Sequence, residues 1–115
     1  MRHILVALVA FVLTAAAGAA TAAPPAGRRV EIKVTDAGFE PREVKARKGE
    51  ALTLVFTRVT DRTCITAVDI PAEKVANLEL PLNKPVSVTV TPRKAGVEAF
   101  HCTAMAMGDG KIHVQ

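Results

Sequence analysis

Apolar residues recur at every second position along most of the chain after residue 29. In the first such run, Val30, Ile32 and Val34 alternate with the charged residues Glu31 and Lys33. The same period returns in further runs at residues 44–47, 52–57, 86–90, 97–102 and 112–114. A period of two is typical of β-strands that bury one face. With two short apolar runs at residues 68–70 and 78–80, the pattern predicts seven to eight strands.

Turn-forming residues separate these runs and help to predict the fold class. They lie at residues 36–38, 48–50, 82–85, 92–96 and 108–110. Only residues 72–80 have room for a helical turn. Short strands at such spacing are typical of an all-β, antiparallel Greek-key sandwich or barrel. We predict this fold, with Leu54, Phe56, Val88 and Phe100 in its core.

The first 22 residues have the pattern of a secretory signal peptide. A basic start containing Arg2 precedes ten apolar residues, 4–13, and then small residues ending in Ala20-Thr21-Ala22. Ten residues are fewer than the roughly 20 that a transmembrane helix needs. We therefore predict cleavage after Ala22, a periplasmic or secreted location, and no stable membrane span in the mature protein.

Cleavage would leave 93 residues, enough for one domain. Residues 23–29 contain two prolines and a glycine and predict a flexible lead-in, so the domain is expected at residues 30–115. The mature chain has 14 basic and 11 acidic residues, which alternate in sign, and it lacks Trp and Tyr. Nucleic-acid binding usually needs a concentrated basic face and aromatic stacking partners. The composition therefore argues against nucleic acid as a partner.

The sequence shows no motif of a hydrolase or of a phosphate-binding enzyme. The only serine, Ser87, lies in a valine-rich strand with no His or Asp near it in sequence. No glycine-rich phosphate loop precedes a helix pattern. We predict that the protein is not an enzyme.

Sulfur-containing residues cluster between the last two predicted strands. Cys102 is followed by Met105 and Met107, which are the only methionines of the mature chain. A thiolate with thioethers is a ligand set suited to Cu(I). The alternative is that the two methionines are adaptable apolar residues that cover the end of the sandwich.

The second cysteine, Cys64, follows a polar turn at residues 60–63. In a Greek-key sandwich this loop can reach the same end as the loop after Cys102. The two cysteines would then form either part of a metal site or a disulfide, and the sequence leaves both alternatives open.

Several segments, taken in order, resemble the cupredoxin-like domains of the plastocyanin and azurin class. The resemblance begins with Gly-Phe-Glu-Pro at residues 38–41 and ends with Phe100-x-Cys102 and the segment from Met107 to Ile112. Between them, it includes residues 49–56, 63–71, 80–86 and 91–92. The match is closest to the bacterial EfeO-type cupredoxin-like group and covers residues 30–115.

The resemblance implies a copper site at one end of the sandwich. Cys102 matches the family cysteine, Met107 or alternatively Met105 matches the methionine, and Cys64 stands where the first histidine commonly stands. No histidine follows Cys102 before the final strand, so the family's second histidine is absent. The spacing after Cys102 also has one residue more than is usual in the group.

These departures favour a Cu(I) site with the metal ligands Cys64, Cys102, Met105 and Met107. A blue-copper centre needs two imidazoles, whereas strand parity turns His101 away from Cys102 and His113 outward. The leading hypothesis is an exported protein that holds or transfers Cu(I), with a periplasmic redox or copper-handling protein as partner. The alternatives are an electron carrier with an atypical copper centre that uses His101, and a metal-free binding module with a Cys64–Cys102 disulfide.

The leader predicts a specific mature terminus. Protein recovered from outside the cytoplasm should begin at Ala23, because the Ala-x-Ala site is cut after Ala22. Intact-mass spectrometry checks this. Retention of residues 1–22 would instead indicate an uncleaved N-terminal anchor.

Overall fold

The computed structural model describes residues 27–105 and 110–115, whose regular secondary structure is almost entirely β-strand. The nine strands within them are β1 (Arg28–Thr35), β2 (Gly38–Glu40), β3 (Glu43–Ala46), β4 (Leu52–Arg58), β5 (Ala67–Ile70), β6 (Val75–Glu79), β7 (Val86–Val90), β8 (Gly96–Cys102) and β9 (Gly110–Val114). One 3-10 turn, Pro71–Glu73, joins β5 to β6. The all-β prediction is confirmed. The proposed leader and Met107 lie outside the described residues.

The strands form two sheets, and both sheets are mixed. The four-stranded sheet has the order β2-β1-β4-β7, and the five-stranded sheet has the order β3-β9-β8-β5-β6. β1 runs parallel to β4, and β3 runs parallel to β9, while the other pairs are antiparallel. The expectation of a purely antiparallel sandwich was therefore too simple. Alternation of apolar residues reports which face is buried, but not the direction of the neighbouring strand.

Three strands, β2, β8 and β9, begin at glycines that the sequence pattern assigned to turns, at residues 38, 96 and 110. Gly38 opens β2 with a φ of 112°, a conformation that glycine adopts without a Cβ clash. Gly110 opens β9 opposite Phe100, and a Cβ at Gly110 would collide with the Phe100 ring. β1 begins at Arg28, two residues before the predicted start of the domain.

The core between the sheets is apolar, and its centre is aromatic. Phe39 and Phe56 from one sheet pack edge-to-face against Phe100 from the other, with ring centroids 4.9 Å and 5.8 Å from the Phe100 ring. Leu54, Phe56 and Phe100 are fully buried as predicted, while Val88 is half-buried and packs against this core. Within the described residues, no polar or charged residue is buried.

The strand directions bring three strand ends to one end of the sandwich. The parallel β1 and β4 end there at Thr35 and Arg58. β8 ends there at Cys102, which pairs with Val68 at the start of β5. This end therefore collects the turn between β1 and β2, the segment between β4 and β5, and the loop after β8. In the part of the chain that the structure describes, no helix is long and apolar enough to cross a bilayer.

A pair of glutamates lies nearer the other end of the sandwich. Glu98 shares the inward parity of Phe100 on β8, and one of its carboxyl oxygens is buried without a hydrogen-bond donor among the described residues. Glu73, Lys74, Arg93 and Lys94 line the same surface depression. Desolvation, a hydrogen bond with the Glu73 side chain and the negative charge of Glu73 raise the pKa of Glu98 from 4.5 to about 7.

This pair predicts a pH-dependent stability. The raised pKa means that the folded state holds the Glu98 proton more tightly than the unfolded state does. Protonated Glu98 therefore stabilises the fold fully below pH 4.5, and this stabilisation is lost as the pH rises through 7. Glu98→Gln, which is neutral at every pH, should stabilise the protein at pH 8 and flatten this dependence. Urea unfolding at pH 5 and pH 8 checks this, with the exposed Glu79→Gln as control. Equal shifts in both variants would contradict the prediction.

Candidate metal centre

Cys102 is the last residue of β8, and its side chain points into the sandwich. Its exposed fraction is 1%, and it follows Phe100 on the inward face of the strand. Because Phe100 is held by the two aromatic rings of the facing sheet, the direction of the Cys102 side chain is set by the core.

Cys64 lies in the segment between β4 and β5, and its side chain is exposed. The Ile65 N–H donates to Thr63 Oγ1 at 3.1 Å, and the Thr66 N–H donates to the Cys64 carbonyl at 3.1 Å. Ile65 is buried, with 4% of its surface exposed. Threonine hydroxyls in turns commonly bond to nearby backbone groups in this way. These local hydrogen bonds and the buried Ile65 side chain hold the Cys64 backbone at the end of the sandwich.

The two cysteines lie next to each other. The Cys102 thiol donates to the Cys64 carbonyl, with the sulfur 3.4 Å from the oxygen. Both cysteines are free thiols in the structure. The expectation that the two loops reach the same end of the sandwich is confirmed. The contact joins the buried Cys102 thiol to the backbone of Cys64, whose own thiol is exposed.

Met105 lies beside Cys64. Both side chains line a depression of about 310 Å³, together with Arg62 and the turn between β1 and β2. Met105 is 45% exposed and is not part of the core, a position that fits both a metal ligand and an apolar residue that covers the end of the sandwich. Met107 falls within residues 106–109, outside the described residues, and its place as a ligand stays a prediction.

The two histidines of the domain have partners elsewhere. His101 is half-buried, and its Nδ1–H donates to the Cys102 carbonyl at 3.0 Å. His113 pairs with Val97, away from the cysteines, and its Nε2 lies 3.3 Å from Glu43 Oε1. The parity expected for His101, opposite to that of Cys102, is confirmed by the burial of Cys102 and the partial exposure of His101.

A residue that the sequence did not single out supports the loop after Cys102. Asp69 Oδ1 accepts a hydrogen bond from Thr103 Oγ1 at 2.6 Å and another from the Asn77 N–H at 2.7 Å. These two hydrogen bonds, with a smaller effect of the nearby His101, hold the pKa of Asp69 below its usual value. The alternation of apolar residues marks Asp69 only as an outward-facing strand residue, so it gave no signal of this contact.

The residues that meet at this end of the sandwich carry sulfur, since Cys102 contacts the Cys64 backbone and Met105 lies beside Cys64. Among the described residues, no group of three or more His, Cys, Asp and Glu side chains could hold a metal ion. A metal ion here would need the Met105 thioether in addition to the thiols of Cys64 and Cys102. Soft sulfur ligands of this kind suit Cu(I) rather than Zn²⁺ or Mg²⁺.

The fold and this site define a small β-sandwich with a sulfur-rich site between its end loops. The family model of the cupredoxin-like domain matches residues 4–114, and the chain belongs to this family. The narrower resemblance to the EfeO-type group stays a prediction. Comparison with curated proteins finds no significant match.

Solved structures of copper proteins share the fold. The chain is similar to a copper-binding protein solved by NMR in its apo form, with 28% identity, a TM-score of 0.68, and coverage of 76% of this chain and 86% of that one. It is also similar to the metal-binding domain of the Cu(I)-exporting P-type ATPase CopA of Streptococcus pneumoniae, solved with Cu(I) (22% identity, TM-score 0.71, coverage 82% and 92%). A variant of amicyanin in its reduced state matches at 19% identity and a TM-score of 0.52, with coverage of 76% and 82%.

The difference in burial predicts a difference in thiol reactivity. In the reduced, metal-free protein, a small alkylating reagent should modify Cys64 much faster than Cys102, because Cys64 is exposed and Cys102 is buried. Mass spectrometry of peptides from timed samples checks this order. In urea the two rates should converge, and equal rates in the native protein would contradict the geometry described above.

Proposed function

We propose that the protein is an exported copper-binding protein that holds or transfers Cu(I) through Cys64, Cys102, Met105 and Met107. The observation that carries the proposal is the contact between the Cys102 thiol and the Cys64 backbone, with Met105 beside Cys64. Binding to copper, rather than catalysis, is the proposed activity. The N-terminal signal pattern supports a periplasmic or secreted location.

The ligand set supports Cu(I) over Cu(II). Thiolates and thioethers are soft donors, and soft donors select Cu(I), whereas Cu(II) favours nitrogen and oxygen ligands. The two similar copper proteins, one of them solved with Cu(I), support the same metal. A periplasmic redox or copper-handling protein would be the partner that delivers or receives the ion at the exposed side of the site.

An electron carrier of the blue-copper type is less well supported. Such a centre uses two imidazoles, and the Nδ1 of His101 is hydrogen-bonded to the Cys102 carbonyl. Recruiting His101 as a ligand would require its ring to leave the outer face of the sheet. The amicyanin similarity supports the fold alone.

The closeness of the two cysteines also favours a second candidate, a metal-free module with a Cys64–Cys102 disulfide. Their sequence separation encloses 37 residues, and a disulfide over such a loop stabilises a protein by about 2–4 kcal/mol. Thiol counting under denaturing conditions, on protein recovered from the periplasm without reductant, separates the two candidates. Two free thiols agree with the Cu(I) site, and a fully oxidised pair in copper-exposed protein would contradict it.

Substitutions of the sulfur ligands test the proposal directly. Cys102→Ser should abolish Cu(I) binding, because it removes the buried thiolate. Met105→Leu and Met107→Leu keep volume and apolar character, so each should weaken Cu(I) affinity while costing less than about 1.5 kcal/mol of stability. Competition with a chromophoric Cu(I) chelator, together with thermal unfolding, measures both effects.

The matched control is His101→Ala, which removes a donor atom close to Cys102 but leaves all sulfur atoms in place. It should change Cu(I) affinity little. If the structural disulfide were the true role, Cys64→Ser and Cys102→Ser would each cost a few kcal/mol of stability, and the methionine variants would titrate like the wild type.

A further inference from the structure

Three strands are connected through a single carboxylate on the outer face of the five-stranded sheet. Asp69 lies on β5, between β6 and β8. Its Oδ1 accepts the Asn77 N–H from β6 at 2.7 Å and the Thr103 hydroxyl, just beyond β8, at 2.6 Å. Hydrogen bonds to a carboxylate are stronger than those between neutral groups.

The β6 side of this connection is an irregularity in the strand pairing. The register between β5 and β6 shifts between Val68 and Ile70, and Asn77 has a φ of 52°. Left-handed backbone is uncommon outside glycine, although Asn tolerates it better than most residues. The shift turns the Asn77 N–H toward the Asp69 side chain, which takes the place of a backbone carbonyl as its acceptor.

On the β8 side, the connection is made by Thr103, the first residue after Cys102. Besides its hydroxyl contact, the Thr103 N–H donates to the Ala67 carbonyl at 3.0 Å. Thr103 is therefore attached to β5 at two points, the backbone of Ala67 and the side chain of Asp69. Cys102, which pairs with Val68, is the last residue of the regular pairing between β5 and β8 and comes directly before this attachment.

Since Cys102 is held on both sides, its thiol has a fixed position against the Cys64 carbonyl. Met105 lies only two residues beyond Thr103, so the same attachment fixes where the loop that carries it begins. A ligand loop that is ordered before the metal arrives loses less conformational freedom on binding. The part of the site around Cys102 would then be in place before the ion arrives.

We propose that Asp69 is a positioning residue for the sulfur site: through the Thr103 hydroxyl it holds the start of the ligand loop and the orientation of Cys102. The inference rests on the proposed Cu(I) function and deepens it. Asp69 itself is not a ligand, since its carboxylate lies on the outer face of the sheet while the Cys102 side chain points inward.

Thr103→Val tests the role with little change in shape, because it removes only the hydroxyl that reaches Asp69. We expect Cu(I) affinity to fall roughly tenfold to a hundredfold, the range typical of groups that orient metal ligands. Chelator competition measures this. In the reduced, copper-free protein, alkylation of Cys102 and amide hydrogen exchange at Thr103 should both become faster.

Three further variants separate positioning from a general loss of stability. Thr103→Ser keeps the hydroxyl and should restore wild-type affinity and alkylation rate, while Asp69→Ala should reproduce the effects of Thr103→Val. The matched control is Thr53→Val, which removes the exposed hydroxyl pair between Thr53 and Thr89, 3.1 Å apart on the other sheet. It should leave both measurements at the wild-type value.

The outcomes distinguish this inference from the proposed function. If the wild type binds no Cu(I), the proposed function fails, and the positioning role for that site fails with it. If the wild type binds Cu(I) but Thr103→Val matches Thr53→Val in affinity and in Cys102 alkylation, only the positioning role is overturned. Failure of Thr103→Ser to restore affinity would overturn it as well.

Discussion

The edge-to-face packing of Phe100 against Phe39 and Phe56 is the interaction on which the rest of the molecule depends. It joins the two sheets at the centre of the core, and aromatic pairs of this kind contribute about 0.5–1.5 kcal/mol each beyond the burial of their area. The Phe100 ring also lies where a side chain at residue 110 would be, so glycine is required at the start of β9. Since Cys102 follows two positions later on the same strand face, the aromatic packing also aims its thiol.

The site therefore combines a rigid inner part with an open outer part. Cys102 is 1% exposed and is held by β8, whereas Met105 is 45% exposed and Cys64 lies in a turn. Under the proposed function, the buried thiolate supplies a fixed, strong donor, and the exposed thiol and thioether supply donors that a partner can reach. Transfer of Cu(I) between proteins requires such an arrangement, because an incoming ligand must contact the ion before the last original ligand leaves.

Much of the fold could be predicted from the sequence, since the alternation of apolar residues records directly which side chains are buried. Leu54, Phe56 and Phe100 follow from it. Strand direction does not, because β1 and β4 would show the same alternation whether parallel or antiparallel. For the site, the residue types suggested Cys64, Cys102, Met105 and Met107; the structure places the first three at one end of the sandwich, and Met107 lies outside the described residues. The contacts of Asp69 could not be predicted, since the Asn77 hydrogen bond lies at a register shift between β5 and β6 and the Thr103 hydrogen bond joins residues far apart in the chain, and no local pattern marks either.

The departures from the blue-copper ligand pattern form a consistent set. A cysteine in place of the first histidine and the absence of a histidine after Cys102 both exchange imidazole for sulfur. The two imidazoles that remain in the domain are hydrogen-bonded to a backbone carbonyl and to Glu43. Because imidazole suits Cu(II) and sulfur suits Cu(I), under the proposed function these changes would act in one direction and favour the reduced ion. Under the proposed function, a β-sandwich of this family with such a site would carry the ion rather than electrons.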